Sequence, residues 1–434
     1  MIPNPFFHGN PVSPPRWVDR QRELRRLVGR IVSQGQSTAV VGDPRSGKTS
    51  LLMYLADREM RVRLYGLAAP HLVFTFMDAQ TFTGQFSQAQ FWEVALRPLY
   101  EQVVAPNPGS PLAQAYQVCQ QNAFGAFVLE RLLTQIAATD WRVVLLLDEF
   151  DALLHHPILN SAEFFGSLRS LVSRSRGALA LVLAGRQSLA DLNKTTQDFS
   201  RTGSPYFNFL DELVLGPFAE KAITELLNKA GDRFTADDRQ FITSAAGGHP
   251  YLLQAAASAL WDAGEVEPDS TQRRRLAGEE VARQAATVID RTWALWSPAT
   301  RRAFALVGLA QVPHLLGQRA FDMKRLLQEL PDLGPELRML EKQGYLTQDA
   351  TLPAGWRVRP LAFLWWLMDE LVRLVREEKP LEVWLREQEF DGLLKRGEKE
   401  QLGRAVRAAG GLLKEGATTL IKAAAEATGK GMTN

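Results

Sequence analysis

Five short stretches of the chain are apolar almost without interruption: STAVVG at 37–42, HLVFTFMDA at 71–79, WRVVLLLDEFD at 141–151, GALALVLAGR at 177–186 and LDELVLGPF at 210–218. Runs of this length, rich in valine and leucine and closed by glycine or acids, predict strands buried on both faces. Between them the apolar residues recur at helical spacing. Val18, Leu24, Leu27, Val28 and Ile31 mark a helix over 17–32, residues 80–138 are largely helical with a break near 105–111, and another helix covers 161–173. Strands alternating with helices predict an α/β fold, a parallel sheet with helices on both faces. The polar stretch 187–209 reads as a mobile or active-site loop.

Past residue 218 the strand rhythm stops. Residues 219–263 are helical, and Gly247, Gly248 and Pro250 punctuate a helix-to-helix turn. Residues 262–272, DAGEVEPDSTQ, are a linker candidate. Ser297 followed by Pro298 marks a helix start. From 333 to 373 the order is helix, strand, loop, strand, helix, which suits a winged-helix domain. Leu361, Leu364, Trp365, Met368 and Leu371 share one face of the last helix, and Trp366 lies off it as a marker of an interface. The expected division is an extended N-terminal arm (1–16), a phosphate-loop core (17–218), a helical lid (219–275), a winged-helix-like domain (280–375) and a helical or partly disordered tail (380–434).

Composition narrows the picture only a little. The 434 residues exceed one typical core. A net charge of +2 gives no bulk preference for nucleic acid, which leaves only a local basic face. Cys119 is the single cysteine, so an internal disulfide and a cysteine zinc cluster are both excluded, and a reducing compartment is expected. No apolar run reaches membrane-spanning length and the first residues lack a signal-peptide pattern, so the expected location is cytoplasmic, without a membrane partner.

The candidate chemistry lies at the ends of the predicted strands. Gly42-Asp43-Pro44-Arg45-Ser46-Gly47-Lys48-Thr49 matches the full G-x-x-x-x-G-K-[ST] phosphate loop, with a strand before it and a helix opening at Lys48 after it, and these residues with Ser50 are the candidates for binding nucleotide. Backbone N–H groups of such a loop point at phosphates, and Gly47 allows close approach. Lys48 reaches the β- and γ-phosphates, and the Thr49 hydroxyl ligates Mg²⁺. Asp148 at the end of its strand holds the same ion, through water, and Glu149 is placed to activate the attacking water. Asp151 either caps the next helix or touches the ligand. Arg186 or Gln187, after the fourth strand, senses the γ-phosphate or orients water; the alternative is a surface arginine pairing with an acid. Pro250 either packs on the nucleotide base or simply opens a helix.

These stretches together resemble the STAND-type P-loop ATPases of the archaeal-ATPase-like branch, related to the origin-recognition initiators within the AAA+ class. NPFFHGNPVSPPRWVDRQREL resembles that group's opening arm, and GDPRSGKTSLL, LLLDEFD, LVLAGRQ, LVLGPFAEKAITELL and GGHPYLLQ follow in its order. The resemblance covers residues 4–260 well and extends more weakly to about 375. It implies an ATPase, slow or regulated, that binds ATP or ADP with Mg²⁺ through Lys48, Thr49, Asp148 and Glu149. Arg186 takes the first sensor position, the arm and the Asp19-Arg20 region flank adenine, and Pro250 contacts the base. It also implies a lid that closes over ADP and a nucleotide-dependent homo-oligomer. One departure is Asp19, where the group has glycine, a residue freer to adopt unusual backbone angles.

Two uses of ATP compete. One is a molecular switch that changes conformation or oligomeric state and signals to a protein partner through the winged helix or the tail. The alternative is a DNA-binding ATPase, initiator-like or transposition-helper-like, whose winged helix meets duplex DNA through Lys324, Arg325, Arg338, Lys342, Arg357 and Arg359. Glu329, Asp332, Glu336 and Glu341 are interspersed among these, the mixture of an ordinary solvated face.

Overall fold

The computed structural model describes residues 3–196, 205–316, 323, 327–328, 330–376, 381–389, 396–412 and 416–427. Lys324, Arg325 and Glu329 lie outside the described residues. Contacts divide the chain into two compact units: residues 11–43 with 47–215, and residues 1–10, 44–46 and 216–434.

The first unit contains α1 (Gln21–Gln34), β1 (Thr38–Val41), α2 (Lys48–Ala56), α3 (Arg61–Tyr65), β2 (Leu72–Asp78), α4 (Gln88–Leu99), α5 (Pro111–Gln121), α6 (Ala126–Ala138), β3 (Arg142–Asp148), α7 (Ala162–Arg174), β4 (Leu179–Gly185), α8 (Leu189–Thr195) and β5 (Asp211–Val214). The five strands pair only in parallel, in the order β2-β3-β4-β1-β5. Side chains alternate across a strand, so each strand feeds both faces of the sheet. Val143, Leu145 and Leu147 join Leu179, Leu181 and Leu183 in one core, with α4, α5, α6 and α7 over it. Val144 and Leu146 join Val40, Val182 and Ala184 in the other, covered by α1, α2 and α3. The near-continuous apolar runs of the sequence follow from this double burial.

Two local expectations change. The helix predicted over 17–32 begins only at Gln21, because Asp19 and Arg20 both adopt positive φ, 65° and 66°. Asp19 therefore takes up the glycine-like geometry after all, and its carbonyl accepts the Trp17 indole N–H at 2.8 Å. Of the loop at 187–209, residues 189–195 are the helix α8, opened by Ser188, whose hydroxyl accepts the Asp191 N–H; residues 197–204 lie outside the described residues.

The second unit contains α9 (Glu220–Leu227), α10 (Ala236–Ala246), α11 (Pro250–Val266), α12 (Ser270–Leu295), α13 (Pro298–Leu315), α14 (Gly334–Gln343), β6 (Leu346–Gln348), β7 (Trp356–Val358), α15 (Leu361–Arg376), α16 (Leu381–Glu387), α17 (Arg396–Leu412) and α18 (Ala417–Ala427). Helix α14, the antiparallel β6–β7 hairpin and α15 reproduce the helix, strand, loop, strand, helix order read from the sequence. The linker at 262–272 shrinks to residues 267–269, and the boundary expected near 275–280 falls inside the continuous helix α12.

Buried side chains explain why α12 continues. Asp238 of α10 accepts from Arg273 at 2.7 Å and from Arg274 at 3.3 Å, and Arg274 Nε donates to the Ala425 carbonyl of α18 at 3.2 Å. Gly278 lets α18 approach, since a Cβ there would overlap the Ile421 side chain. The tail helices are thus packed into this unit. Trp366, half-buried, makes contacts within this unit: its indole N–H donates to Asp290 of α12 at 2.8 Å, and its ring lies 5.2 Å from that of Trp293. The arm is tied to α11, where Asn4 Nδ2 donates to Ser258 Oγ at 3.0 Å and Asp262 at 2.9 Å, and Phe6 stacks on Phe234.

Candidate nucleotide-binding site

The parallel sheet brings the ends of β1, β3 and β4 side by side. Val41 is in register with Gly185, and Gly42 N–H donates to the Gly185 carbonyl at 3.2 Å, so the phosphate loop starts next to the turn that follows β4. Within the loop Arg45 and Gly47 have φ of 61° and 97°, and α2 begins at Lys48. Nothing would lie within 4 Å of a Cβ at Gly47, so the loop faces open space there. Left-handed backbone angles directly before a helix N-terminus suit the binding of an anion.

Lys48 is buried and folds back on the loop. Its Nζ donates to the carbonyls of Gly42 at 2.8 Å and Asp43 at 3.0 Å. Burial pushes the ammonium below the usual lysine range, and Glu149, Asp43 and Asp148 oppose that shift. A polyphosphate would supply the anionic partner that backbone carbonyls replace only in part.

Asp148, 3% exposed, ends β3 and accepts the Glu149 N–H at 3.0 Å. Glu149 adopts φ 48° and ψ 43°, unusual for a residue with a side chain. Its carboxylate lies 3.2 Å from Arg186 Nη2. Of the two readings given to Arg186, the observed contact is the pairing with an acid, and that acid is the candidate base itself. Arg186 Nε is buried with no hydrogen-bond partner among the described residues, so the guanidinium keeps a donor for a ligand oxygen. The donor set suits a Mg²⁺-nucleotide: Thr49 and Asp148 offer hard oxygen ligands, while Lys48, Arg186 and the loop amides offer donors to phosphate.

The remaining candidates are placed differently. Ser50 Oγ accepts the Val12 N–H at 3.1 Å, which fixes the arm beside α2. Pro44, Arg45 and Ser46 group with the second unit, where the Arg45 guanidinium lies 4.5 Å from the Tyr251 ring centroid. Pro250, also in that unit, is the first residue of α11, and His249 caps the helix. Asp151 takes neither of the two roles expected of it among these contacts: its carboxylate accepts from the backbone N–H groups of Arg186 and Gln187. Glu212 of β5, which accepts the Leu189 N–H at 2.8 Å, carries no motif that would have singled it out.

Residues 30–192 match the family described as the AAA domain. No curated protein matches the chain. Among solved structures, the Walker-type ATPase of Pyrococcus abyssi is 14% identical, with 82% of this chain and 97% of that chain covered and a TM-score of 0.49. The Aeropyrum pernix ORC2 protein, in its ADPNP-ADP complexes, is 14% identical over 85% of this chain and 96% of that one, TM-score 0.48. The Drosophila ORC bound to DNA is 15% identical over 82% and 88%, TM-score 0.40. Such distant likenesses assign no function. The domain match and the sheet with its phosphate loop make this a P-loop ATPase core of the AAA type, in a protein that binds and hydrolyses ATP.

Proposed function

We propose that the chain is a regulated AAA+ ATPase whose nucleotide state controls its engagement with duplex DNA. The observation that carries the regulated site is the Arg186–Glu149 pair at 3.2 Å. A general base held by a cation is a poor proton acceptor until that cation finds another anion. A γ-phosphate is such an anion. In this reading Lys48 and the loop amides bind the phosphates, and Thr49 and Asp148 would hold a Mg²⁺ ion, which would supply charge neutralisation to the phosphates. Arg186 turns toward the γ-phosphate and Glu149 takes the proton of the attacking water, as ADP leaves.

The DNA part rests on exposed cations. Helix α14 precedes the β6–β7 hairpin in winged-helix order and exposes Arg338 and Lys342. In the ATPase unit Arg22 and Arg25 of α1 and Arg58 and Arg63 beside or in α3 are also exposed, on two helices that pack together. Such groups bind phosphates by counterion release. The counterweight is local. Glu336 and Glu341 share α14, and Arg357 is engaged by Asp349 at 2.6 Å.

That counterweight favours a second reading, a STAND-like switch that signals to a protein partner and assembles with ATP. One experiment separates them. ATP turnover and molecular mass by light scattering are measured in ADP and in ATP, with and without duplex DNA, at several salt concentrations, for wild type and Glu149→Gln. DNA affinity that falls steeply with salt, with DNA-stimulated turnover, supports the DNA reading. A mass change locked in by Glu149→Gln, without DNA binding, supports the switch. Failure to bind nucleotide after bound nucleotide is stripped overturns both.

A further inference from the structure

The turn after β4 is held by two carboxylates, one from the helical turn that follows β3 and one from β5. The β3–β4 pairing runs only from Val143↔Leu179 to Leu147↔Leu183. Beyond that register Asp151 bridges the two strand ends. Its Oδ2 accepts the Arg186 N–H at 2.6 Å and its Oδ1 accepts the Gln187 N–H at 3.1 Å. Glu212 of β5 accepts the Leu189 N–H at 2.8 Å on the far side of the same turn. Gly185 leaves the room required, because a Cβ there would stand 2.9 Å from Asp151 Oδ2.

We infer that Asp151 is a positioning residue for ATP hydrolysis: it fixes the backbone at 186–187 so that the Arg186 guanidinium stands between Glu149 and the γ-phosphate position. Both its oxygens accept backbone amides, and amide-to-carboxylate bonds are the charge-assisted kind that hold a loop in one geometry. The Arg186 side chain is left to exchange partners while its main chain stays fixed. The same turn accepts the Gly42 N–H through the Gly185 carbonyl, so Asp151 also sets the edge on which the phosphate loop begins. The inference rests on the ATPase reading of the site and adds to it the residue that aims the sensor.

The test uses the full chain, with fluorescent ATP and ADP analogues for binding and phosphate release for turnover. Asp151→Ala should lower turnover about tenfold or more and shrink the preference for ATP over ADP about fivefold, with ADP affinity within about twofold of wild type. Asp151→Asn keeps the side chain's size and one strong acceptor, and should fall between; it also serves where the alanine variant fails to fold. In an Arg186→Ala background, Asp151→Ala should add less than about a twofold effect, because the two residues act as one unit. Equal effects of Asp151→Ala in both backgrounds, or equal losses of ATP and ADP affinity, would overturn the inference and leave Asp151 a structural residue. Lys48→Ala is the separate control. Undiminished binding of both nucleotides by that variant removes the ATPase reading itself, whatever Asp151 does.

Discussion

Glu149 combines three constraints in one residue: a positive φ, a carboxylate paired with Arg186, and a position directly after the buried Asp148. Strained backbone of this kind persists where surrounding structure holds it, and it sits at the proposed reacting end of the site. Glu149→Gln preserves shape and removes the proton acceptor. Turnover should fall by about 100-fold or more while ATP binding persists, which single-turnover hydrolysis beside a binding titration measures. Cys119 gives a different residue-scale prediction. It is fully buried, its thiol is pushed up to about 11 by burial, and its Sγ lies 3.3 Å from the Val128 carbonyl. It should resist a maleimide at neutral pH in the native protein and react only on unfolding, so mass spectrometry of labelling against denaturant reports opening of this unit. Lys48, Thr49, Asp148 and Glu149 could be proposed from the sequence because their motifs are local. The role of Asp151 was not, because it depends on a contact with the turn after β4, far along the chain.

At the scale of elements, the long helix α12 is fixed by what lies against it. Asp238 is completely buried and serves Arg273 and Arg274 together. Removing the carboxylate leaves the buried Arg274 without its anion, so Asp238→Ala should destabilise this unit by about 3–5 kcal/mol, seen as a lower denaturation midpoint. Gly278→Val should cost about 1–3 kcal/mol through overpacking against Ile421, and Ile421→Ala in the same chain should recover part of that loss. The five strands and the hairpin were readable from hydrophobic rhythm, since double burial and turn residues leave a strong pattern. The joints were less readable. Charged residues over 262–272 read as a linker because the end of α11 and the start of α12 both present polar side chains there. The start of α1 moved because positive φ at Asp19 and Arg20 has no hydrophobic signature.

For the whole molecule, two compact units with separate cores predict that heat unfolds the chain in more than one step. A nucleotide at about 100 times its Kd should stabilise the folded state by about 2.7 kcal/mol, and calorimetry of Lys48→Ala should show no such shift. The strand order carries a further consequence. β1, from which the phosphate loop springs, pairs only with β4 and β5, whose residues begin at Leu179 and Asp211. A chain leaving the ribosome at about 5–20 residues per second therefore carries β1 for roughly 7 to 28 seconds before its strand partners emerge. During that interval Val40, Leu51 and Leu52 have α1, α3 and β2 to pack against, but both edges of β1 lack their strand partners. Shielding of those open strand edges by a holding chaperone should therefore raise the fraction of newly made protein that reaches the native sheet.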